Sequence, residues 1–412
     1  MTESNRAFGA AIMARVEDLA SISETAAGLT CTYMTPAHQA TASRLKAWME
    51  EGGLMASIDA LGNVTGRYPS ANPNARTLLV GSHYDTVRNA GKYDGRLGVL
   101  TALAVVADLA QGGIALPYHL EVVAFSEEEG VRFATTFLGS RALVGQFDMA
   151  ALAMKDADGV TMEAALRAAG HDPATIPALA RDPASLLGYI ELHIEQGPVL
   201  LEKDMPLGVV TGIAGGIRLL VSIAGTAGHA GTVPMGLRHD AAAAAAEIVL
   251  LVERRCSAAP GLVGTVGMLT VPNGAINVIP GRCELTLDIR APDDATRDAA
   301  VADIRAEMAA IAARRGVTIA ADEVMRAAAV PCATPIQEAL ASAITRAGLP
   351  VVRLASGAGH DAMMLGTVTA AGMMFVRCGN GGISHNPLET VTVEDADVAA
   401  RVLRDVLVNL PG

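Results

Sequence analysis

Histidine and carboxylate side chains occur beside apolar runs at several points along the chain. The residues concerned are His83, Asp94, Glu127, Glu128, Glu129, His193 and His385. Imidazole and carboxylate groups without thiolates are suitable ligands for Zn²⁺, Mn²⁺, Co²⁺ or Ni²⁺, and such cations support metal-assisted hydrolysis. The alternative is structural, because a lone histidine near a strand end is more often hydrogen-bonded within the fold, and adjacent carboxylates are usually solvated.

The three consecutive glutamates favour the metal interpretation. Glu127–Glu129 directly follow the apolar run Leu120–Ser126. Three carboxylates at the end of a buried strand cost stability unless cations compensate their charge. Asp85 lies two residues after His83, where it can accept the second ring N–H of the histidine and orient the ligand.

The elements that must position these groups alternate between strand and helix. Short apolar runs predict strands at Thr77–Ser82, Leu120–Ser126 and Tyr189–Ile194, and an alanine-rich stretch predicts a helix at Leu97–Leu109. This order predicts an α/β fold with a mixed, mainly parallel sheet. Because ligands bind beyond the carboxyl ends of strands in open α/β sheets, the candidate groups are expected to converge there.

A different pattern begins near Gly212. Cys283–Arg290 alternates apolar and polar residues, which is typical of an antiparallel strand with one solvated face. Long helices are predicted at Arg238–Arg255 and Asp293–Ala313. We therefore predict a discontinuous catalytic domain of residues 1–211 and 329–412, with an inserted α+β domain of residues 212–328.

Composition excludes several classes of partner. Lys and Arg number 31 against 43 Asp and Glu, which gives a formal net charge of −12. Such a surface attracts neither nucleic-acid phosphates nor anionic lipids. Aromatic residues make up only 3% of the chain, too few for base-stacking platforms. We expect no nucleic-acid partner and no membrane partner.

The expected location is cytoplasmic. The five cysteines are odd in number and form no CxxC pair, which favours a reducing compartment. The N-terminal segment, which contains Glu3 and Arg6, lacks the charged-then-apolar order of a signal peptide. The most apolar stretch, residues 241–252, is too short to span a bilayer.

A series of longer motifs carries a family resemblance. In chain order they are GSHYDTVRNAGKYDG, FSEEEGVRF, LGSRALVG, ELHIEQGPVL, GIAGG, HAGTVPM, NVIPG, LDIR, SGAGHDAM and GISHNP. Together they resemble the amidase/hydantoinase/carbamoylase branch of the dinuclear-zinc peptidases, which is related to aminoacylase and carboxypeptidase G. Long strings in series are more specific than one short pattern. The resemblance implies a catalytic α/β domain and a smaller inserted domain used as a lid and for dimerisation.

The resemblance also implies a ligand set for two divalent metal ions per subunit, with zinc expected and manganese, cobalt or nickel as alternatives. One ion would be held by His83, Asp94 and His193, and the other by Asp94, Glu129 and His385, so that Asp94 bridges the two. Glu128 matches the general base of the family. The run of three glutamates leaves open a one-residue shift, with Glu127 as base and Glu128 as ligand.

Further residues match substrate contacts of the family. His229, which matches a histidine contributed by the partner subunit of a homodimer, would meet the developing oxyanion. Arg290 would clamp the substrate carboxylate, although an ordinary exposed arginine is an equal alternative from sequence. The remaining matches are Gln196, Asn277 and Gly359. Asn277 could equally be a turn residue, and Gln196 could brace the loop after His193.

The implied activity is cleavage of a C–N bond in a ureido compound that carries a carboxylate, with release of ammonia and carbon dioxide, as in purine or pyrimidine degradation. TYMTPAH, ALGNVTGRYPS and EEEGVRF look most like allantoate amidohydrolases. The alternatives are an N-carbamoyl-L-amino-acid hydrolase, a β-ureidopropionase and, more remotely, an aminoacylase or peptidase. A metal-dependent binding protein without activity is the alternative from another class, and the presence of Glu128 argues against it.

Overall fold

The structure, a computed structural model, describes residues 7–412. Glu3 and Arg6, which enter the expectation about the N-terminal segment, lie outside the described residues, as do the other positions of the predicted catalytic domain before residue 7. The chain divides into two compact units. From residue 7 the first unit extends to Thr211, and it also includes Cys332–Leu354 and Gly359–Gly412; the second unit consists of Gly212–Pro331 and Ala355–Ala358.

The regular elements are numbered here in chain order. The helices are α1 (Gly9–Ala20), α2 (Pro36–Glu51), α3 (Arg96–Gln111), α4 (Leu138–Leu143), α5 (Met162–Ala168), α6 (Val199–Glu202), α7 (Ala241–Ser257), α8 (Asp294–Arg315), α9 (Thr334–Arg346), α10 (Ala362–Leu365) and α11 (Val393–Asn409). The strands are β1 (Met55–Ile58), β2 (Val64–Tyr68), β3 (Thr77–His83), β4 (His119–Phe125), β5 (Leu186–Ile194), β6 (Leu207–Ile213), β7 (Gly215–Ala224), β8 (Gly228–His229), β9 (Val263–Thr270), β10 (Val278–Ile279), β11 (Arg282–Ala291), β12 (Thr318–Ala327), β13 (Val330–Pro331), β14 (Arg353–Ser356) and β15 (Ala371–Val376).

The larger sheet has the strand order β1-β2-β4-β3-β5-β15-β6-β13, and β14 pairs with β6. Strands β4, β3, β5 and β15 are neighbours and run parallel to one another. Strands β1, β2, β6 and β13 pair in antiparallel fashion. The predicted α/β fold with a mixed sheet is confirmed, and β4, β3, β5 and β15 form a parallel part in the middle of the sheet.

Burial explains why the central strands carry the apolar runs seen in the sequence. Every residue of β3 and β4 is buried, and α3 packs against β3 and β5 with most of its side chains buried. A strand that is covered on both faces needs apolar residues at consecutive positions rather than at alternate ones. The carboxyl ends of β3, β4 and β5 therefore share one edge, where polar side chains begin.

The second unit contains an antiparallel sheet with the order β12-β7-β11-β9. Burial alternates along β7 and β11, and Leu219 of β7 lies opposite Leu287 of β11. Helices α7 and α8 pack against each other and against this sheet. Their apolar side chains form one core with the inward residues of β7 and β11.

The long helices of the second unit begin at capping aspartates. Helix α7 starts at Ala241, three residues later than predicted, because the Asp240 carboxylate accepts the N–H groups of Ala242 and Ala243. Asp293 caps α8 in the same way through the N–H of Thr296. Among residues 7–412 no helix has both the length and the apolar character required to cross a membrane.

Candidate metal centre

Two of the candidate histidines lie side by side on neighbouring parallel strands. His83 is the last residue of β3, and His193 is the penultimate residue of β5. Both side chains are buried, and their Nε2 atoms are 3.4 Å apart. The rigid pairing of β3 with β5 fixes this spacing.

Asp94 reaches the histidines from the turn that precedes α3. Gly95, the next residue, has φ of +62°, and a Cβ at this position would lie 2.5 Å from the imidazole of His83. Only glycine allows the chain to adopt this conformation at such close approach. The Gly95 turn therefore places the Asp94 carboxylate against the histidine pair.

The two oxygens of Asp94 face different groups. Oδ1 lies 3.1 Å from His193 Nε2 and 3.7 Å from His83 Nε2. Oδ2 lies 3.0 Å from His385 Nε2, and that nitrogen is 3.4 Å from Glu129 Oε1. The structure thus brings together all five predicted ligands as two three-residue groups that share Asp94.

In the first ligand group, the two ring nitrogens of each histidine face different partners. His193 Nδ1 lies 2.8 Å from the carbonyl oxygen of Ile194, and His83 Nδ1 lies 3.2 Å from both the carbonyl and a carboxylate oxygen of Asp85. These contacts occupy Nδ1 of each ring, so Nε2 faces Asp94 Oδ1 and is the atom that a metal ion would bind after displacing any proton it carries. Among the described residues Oδ1 is buried without a hydrogen-bond donor. Two imidazole nitrogens and a carboxylate oxygen converge here in a buried site, and this donor set suits a divalent cation, so these residues fit a metal ion.

Charges around the shared aspartate favour its ionised form. Burial raises the pKa of Asp94, but the facing imidazoles of His193, His385 and His83 lower it more, so the pKa lies well below its usual range. The contact with Asp94 also raises the pKa of His385 to about 9. His385 would have to lose its Nε2 proton before that nitrogen could bind a divalent cation.

The three glutamates differ sharply in their surroundings. Glu127 is completely buried, and neither of its carboxylate oxygens has a hydrogen-bond partner among the described residues. Glu128 is 9% exposed, and Glu129 lies in the second ligand group. The Asp85 carboxylate accepts the backbone N–H groups of both Glu128 and Glu129 at 3.1 Å. Asp85 therefore contacts both His83 and this loop and links the two.

The crowding of carboxylates has an electrostatic consequence. Burial and the charge of Asp85 raise the pKa of Glu127 well above its usual value. Burial and the charge of Glu129 likewise raise the pKa of Glu128. Burial and Asp94 raise the pKa of Glu129 to about 7. Cations placed between these groups would relieve the repulsion, which is a second reason that the site fits metal ions.

Gln196 and His385 both adopt left-handed backbone conformations, with φ of +56° and +54°. Gln196 Nε2 donates to Asp94 Oδ2 at 3.0 Å and lies 3.3 Å from His385 Nε2. Strained backbone of this kind concentrates at functional sites. Gln196 is therefore part of the ligand cluster, and its side chain braces the shared aspartate.

The predicted residues of the second unit include a close pair. His229 of β8 lies opposite Val278 of β10, and the carbonyl oxygen of the adjacent Asn277 accepts the N–H of Ala230. His229 is exposed, and its Nδ1 accepts the N–H of Gly231 at 3.0 Å. This contact assigns the ring proton to Nε2, which makes that nitrogen a hydrogen-bond donor.

Arg290 is already engaged by a carboxylate of its own strand. Its Nε and one terminal nitrogen donate to Asp288 at 2.8 and 3.0 Å, and the other terminal nitrogen donates to the Gly357 carbonyl at 2.7 Å. These hydrogen bonds with Asp288 raise the pKa of Arg290. Each terminal nitrogen keeps one further N–H, so the end of the guanidinium can still bind a second carboxylate.

Gly359, in the first unit, faces an aromatic ring. A Cβ at this position would lie 2.9 Å from the ring carbon Cζ of Phe137. Any side chain at residue 359 would therefore force Phe137 aside. The role predicted for Gly359 in substrate binding stays a prediction.

Sequence reasoning missed two carboxylates that hold this site together. Glu191 is buried and accepts the hydroxyl of Ser82 and the N–H of Ala362, the first residue of α10. Glu389 accepts the N–H groups of Tyr93 and Asp94. A charged residue inside the apolar run of β5 could have indicated Glu191, whereas a lone glutamate in a polar loop gives no signal for Glu389.

A family model, two relatives and a solved structure relate this chain to known proteins. A model of peptidase family M20/M25/M40 matches residues 79–409. The chain is 42% identical over 376 residues to an N-carbamoyl-L-amino acid amidohydrolase of Geobacillus stearothermophilus, covering 91% of this chain and 92% of that protein. It is 40% identical over 429 residues to allantoate deiminase 1 of Glycine max, covering 97% and 89%. The crystal structure of a hydantoinase/carbamoylase-family amidase from Burkholderia multivorans superposes with a TM-score of 0.92 at 35% identity, covering 97% of each chain.

Proposed function

The chain belongs to peptidase family M20/M25/M40, and we propose that it is a metal-dependent amidohydrolase that cleaves a C–N bond of a carboxylate-bearing ureido compound, with release of ammonia and carbon dioxide. Relatives at about 40% identity carry the names of amidohydrolases that act on C–N bonds other than peptide bonds. The observation that carries the proposal is the shared aspartate. One carboxylate faces two histidines through Oδ1 and a histidine with a glutamate through Oδ2.

His83, Asp94 and His193 would hold one divalent ion, and Asp94, Glu129 and His385 would hold the other. A bound pair of such ions supplies Lewis acidity toward a carbonyl group and lowers the pKa of a coordinated water. Zinc suits this donor set of nitrogen and oxygen atoms, as do manganese, cobalt and nickel.

Glu128 is the residue that we assign to proton transfer. Its carboxylate lies in a group with His83 and Glu129, and it keeps some exposure while Glu127 has none. A carboxylate there takes a proton from the attacking water and delivers it to the leaving nitrogen. Gln196 donates a side-chain N–H to Asp94 Oδ2 and so holds that carboxylate in place.

A substrate carboxylate needs a cationic partner, and we assign that part to Arg290. The pairing with Asp288 fixes the plane of the guanidinium, while one N–H on each terminal nitrogen remains for a bidentate contact. Asn277 and Gly359 stay proposed contacts for the remainder of the substrate.

Allantoate is our first substrate and an N-carbamoyl-L-amino acid the second. The motifs TYMTPAH, ALGNVTGRYPS and EEEGVRF support allantoate, and the Glycine max relative is named as an allantoate deiminase. The Geobacillus stearothermophilus relative, at 42% identity, supports the second substrate class. N-Carbamoyl-β-alanine belongs in the same comparison as a third ureido compound.

The proposal is tested with a substrate panel. Metal-reconstituted enzyme is given allantoate, N-carbamoyl-L-amino acids, N-carbamoyl-β-alanine, N-acetyl amino acids and dipeptides, and release of ammonia and of free amine is measured. We expect ammonia from at least one ureido compound, with the highest kcat/KM for allantoate, and no cleavage of dipeptides. Enzyme dialysed against a chelator is the matched control, and it should regain activity when metal is returned.

Peptide or acetyl-amino-acid cleavage without any ureido turnover would contradict the proposal and favour the aminoacylase or peptidase alternative. Chelator-resistant turnover would contradict the metal requirement. Metal binding without turnover of any compound would favour the non-catalytic alternative.

We also propose that the active protein is a homodimer in which His229 acts on the substrate of the other subunit. Exposed apolar side chains near this histidine support the proposal, among them Met235, Leu237 and Ile276. The free Nε2–H of His229 is the kind of donor that stabilises a developing oxyanion.

Mixing two inactive variants tests the shared site. Glu128→Gln and His229→Ala chains are expected to be inactive separately, and after subunit exchange each mixed dimer has one intact site, so a random mixture should recover about a quarter of wild-type activity. Differently tagged chains allow the mixed dimer to be purified and assayed alone. A purified mixed dimer without activity would refute the contribution of His229 across subunits.

A cytoplasmic location is the last part of the proposal. All five cysteines are buried and free of disulfide bonds. Unpaired thiols persist in reducing compartments, which supports this location.

A further inference from the structure

A buried carboxylate connects the two loops that carry the second group of ligands. Glu389 is 2% exposed and lies four residues after His385. Its Oε1 accepts the backbone N–H groups of Tyr93 and Asp94 at 2.8 and 3.1 Å. Its Oε2 accepts the hydroxyl of Ser384 at 2.8 Å. One side chain thus joins the backbone of Asp94 to the residue next to His385.

We propose that Glu389 is a positioning residue for the second metal ion, the one assigned to Asp94, Glu129 and His385. The inference rests on the proposed dinuclear function, and it adds a residue that acts on the ion only through its ligands. His83 and His193 are held by paired strands, so the first ion depends on Glu389 only through Asp94. His385 lies in a loop, and the link from Ser384 to Glu389 ties that loop to Asp94.

The Ser384 hydroxyl explains a second effect of Glu389. Ser384 Oγ lies 2.8 Å from Glu389 Oε2 and 3.4 Å from Asp94 Oδ2. A hydroxyl has one proton to donate, and the shorter contact directs it to Glu389. Glu389 therefore keeps that proton away from the Asp94 oxygen that faces His385.

The chain makes room for Glu389 at one specific position. A Cβ on Gly91 would lie 2.3 Å from Glu389 Oε1 and 2.5 Å from its Cβ. The φ of Gly91 is not positive, so alanine would adopt this backbone without strain. Glycine at residue 91 is thus explained by the space that Glu389 occupies.

The test measures binding of Zn²⁺ to metal-stripped protein by calorimetry, with metal content after dialysis as a second readout. For Glu389→Ala we expect the second equivalent to bind about 10- to 100-fold more weakly than in wild type, while the first changes much less. Glu389→Gln should lie between wild type and Glu389→Ala, because its amide keeps an acceptor for the two N–H groups and can donate to Ser384. Gly91→Ala keeps the carboxylate but displaces it, and it should also weaken the second equivalent selectively.

Glu121→Ala is the matched control. Glu121 is another buried carboxylate of the first unit. It lies on β4, which carries none of the assigned ligands, and it pairs with Arg67 and Arg181. This variant should lose stability and keep both metal affinities.

The outcomes distinguish failure of the proposed dinuclear function from failure of the positioning role of Glu389. Wild type that binds fewer than two ions per chain refutes the proposed dinuclear function and this inference with it. Wild type that binds two ions, with Glu389→Ala and Gly91→Ala binding them equally well or losing both equally, refutes the positioning role of Glu389 alone.

Discussion

Glu128→Gln is expected to lower kcat by a factor of about 10² to 10⁴ while two metal ions per chain remain bound. Glutamine has the shape of glutamate, but its amide cannot take a proton from water and return it to the leaving nitrogen. The five ligand side chains, and the Asp85 contacts that brace them, are unchanged in this variant. Ammonia release under saturating substrate and metal content by elemental analysis are the two measurements.

Glu127→Gln is the control for this variant, because it makes the same change one residue earlier. Glu127 is completely buried and belongs to none of the described groups that could hold a metal ion, so a glutamine of the same shape should replace it without loss of a ligand. We expect Glu127→Gln to retain most of its activity. If Glu127→Gln is inactive and Glu128→Gln is active, the base is Glu127, and the alignment of the glutamate run shifts by one residue.

Asp94→Ala is expected to abolish turnover and to remove tight binding of both ions, since each ligand group loses one of its three members. Wild-type protein should show a melting temperature that rises with added Zn²⁺, because a ligand that binds only the folded state stabilises it by mass action. In Asp94→Ala this rise should disappear. Calorimetric titration and thermal melts with and without metal check both parts.

Asp395→Ala supplies the comparison. Asp395, in helix α11, is also a buried aspartate of the first unit, and its carboxylate pairs with Arg377. Its loss should lower the melting temperature without changing the metal-dependent rise. An Asp94→Ala chain that still binds two ions tightly would contradict the bridging role and require another ligand set.

Much of the site could be predicted because it lies where buried strands end. The apolar run before His83 indicates a strand, and the structure has that strand at Thr77–His83. The run before the glutamates likewise becomes β4, which is parallel to β3. The positions of these apolar runs along the chain thus predict the edge of the sheet at which the ligands meet.

The glutamate run shows where sequence reasoning stops. Three identical side chains in succession carry no information about which faces the ions, and the distinction arises from tertiary contacts. The Asp85 carboxylate accepts the N–H groups of Glu128 and Glu129 from another strand end. Such contacts between distant segments do not appear in local pattern.

Arg290 shows a contact that the sequence offered and the prediction missed. Asp288 and Arg290 have the same parity on β11, so their side chains emerge on one face. Their hydrogen bonds follow from that register, and they restrict the arginine to end-on binding of another carboxylate. Glu389 offered no comparable signal, because the Tyr93 and Asp94 N–H groups that it accepts lie almost three hundred residues away.

The placement of His83 and His193 on adjacent strands, with His385 in a loop, divides the centre into a fixed half and an adjustable half. Changes in the sheet would disturb the whole core, whereas a change in the contacts that hold the His385 loop would act mainly on the ion assigned to Asp94, Glu129 and His385. Selection for a different metal at that position therefore has an accessible route through those contacts, while the strand-borne histidines stay in place.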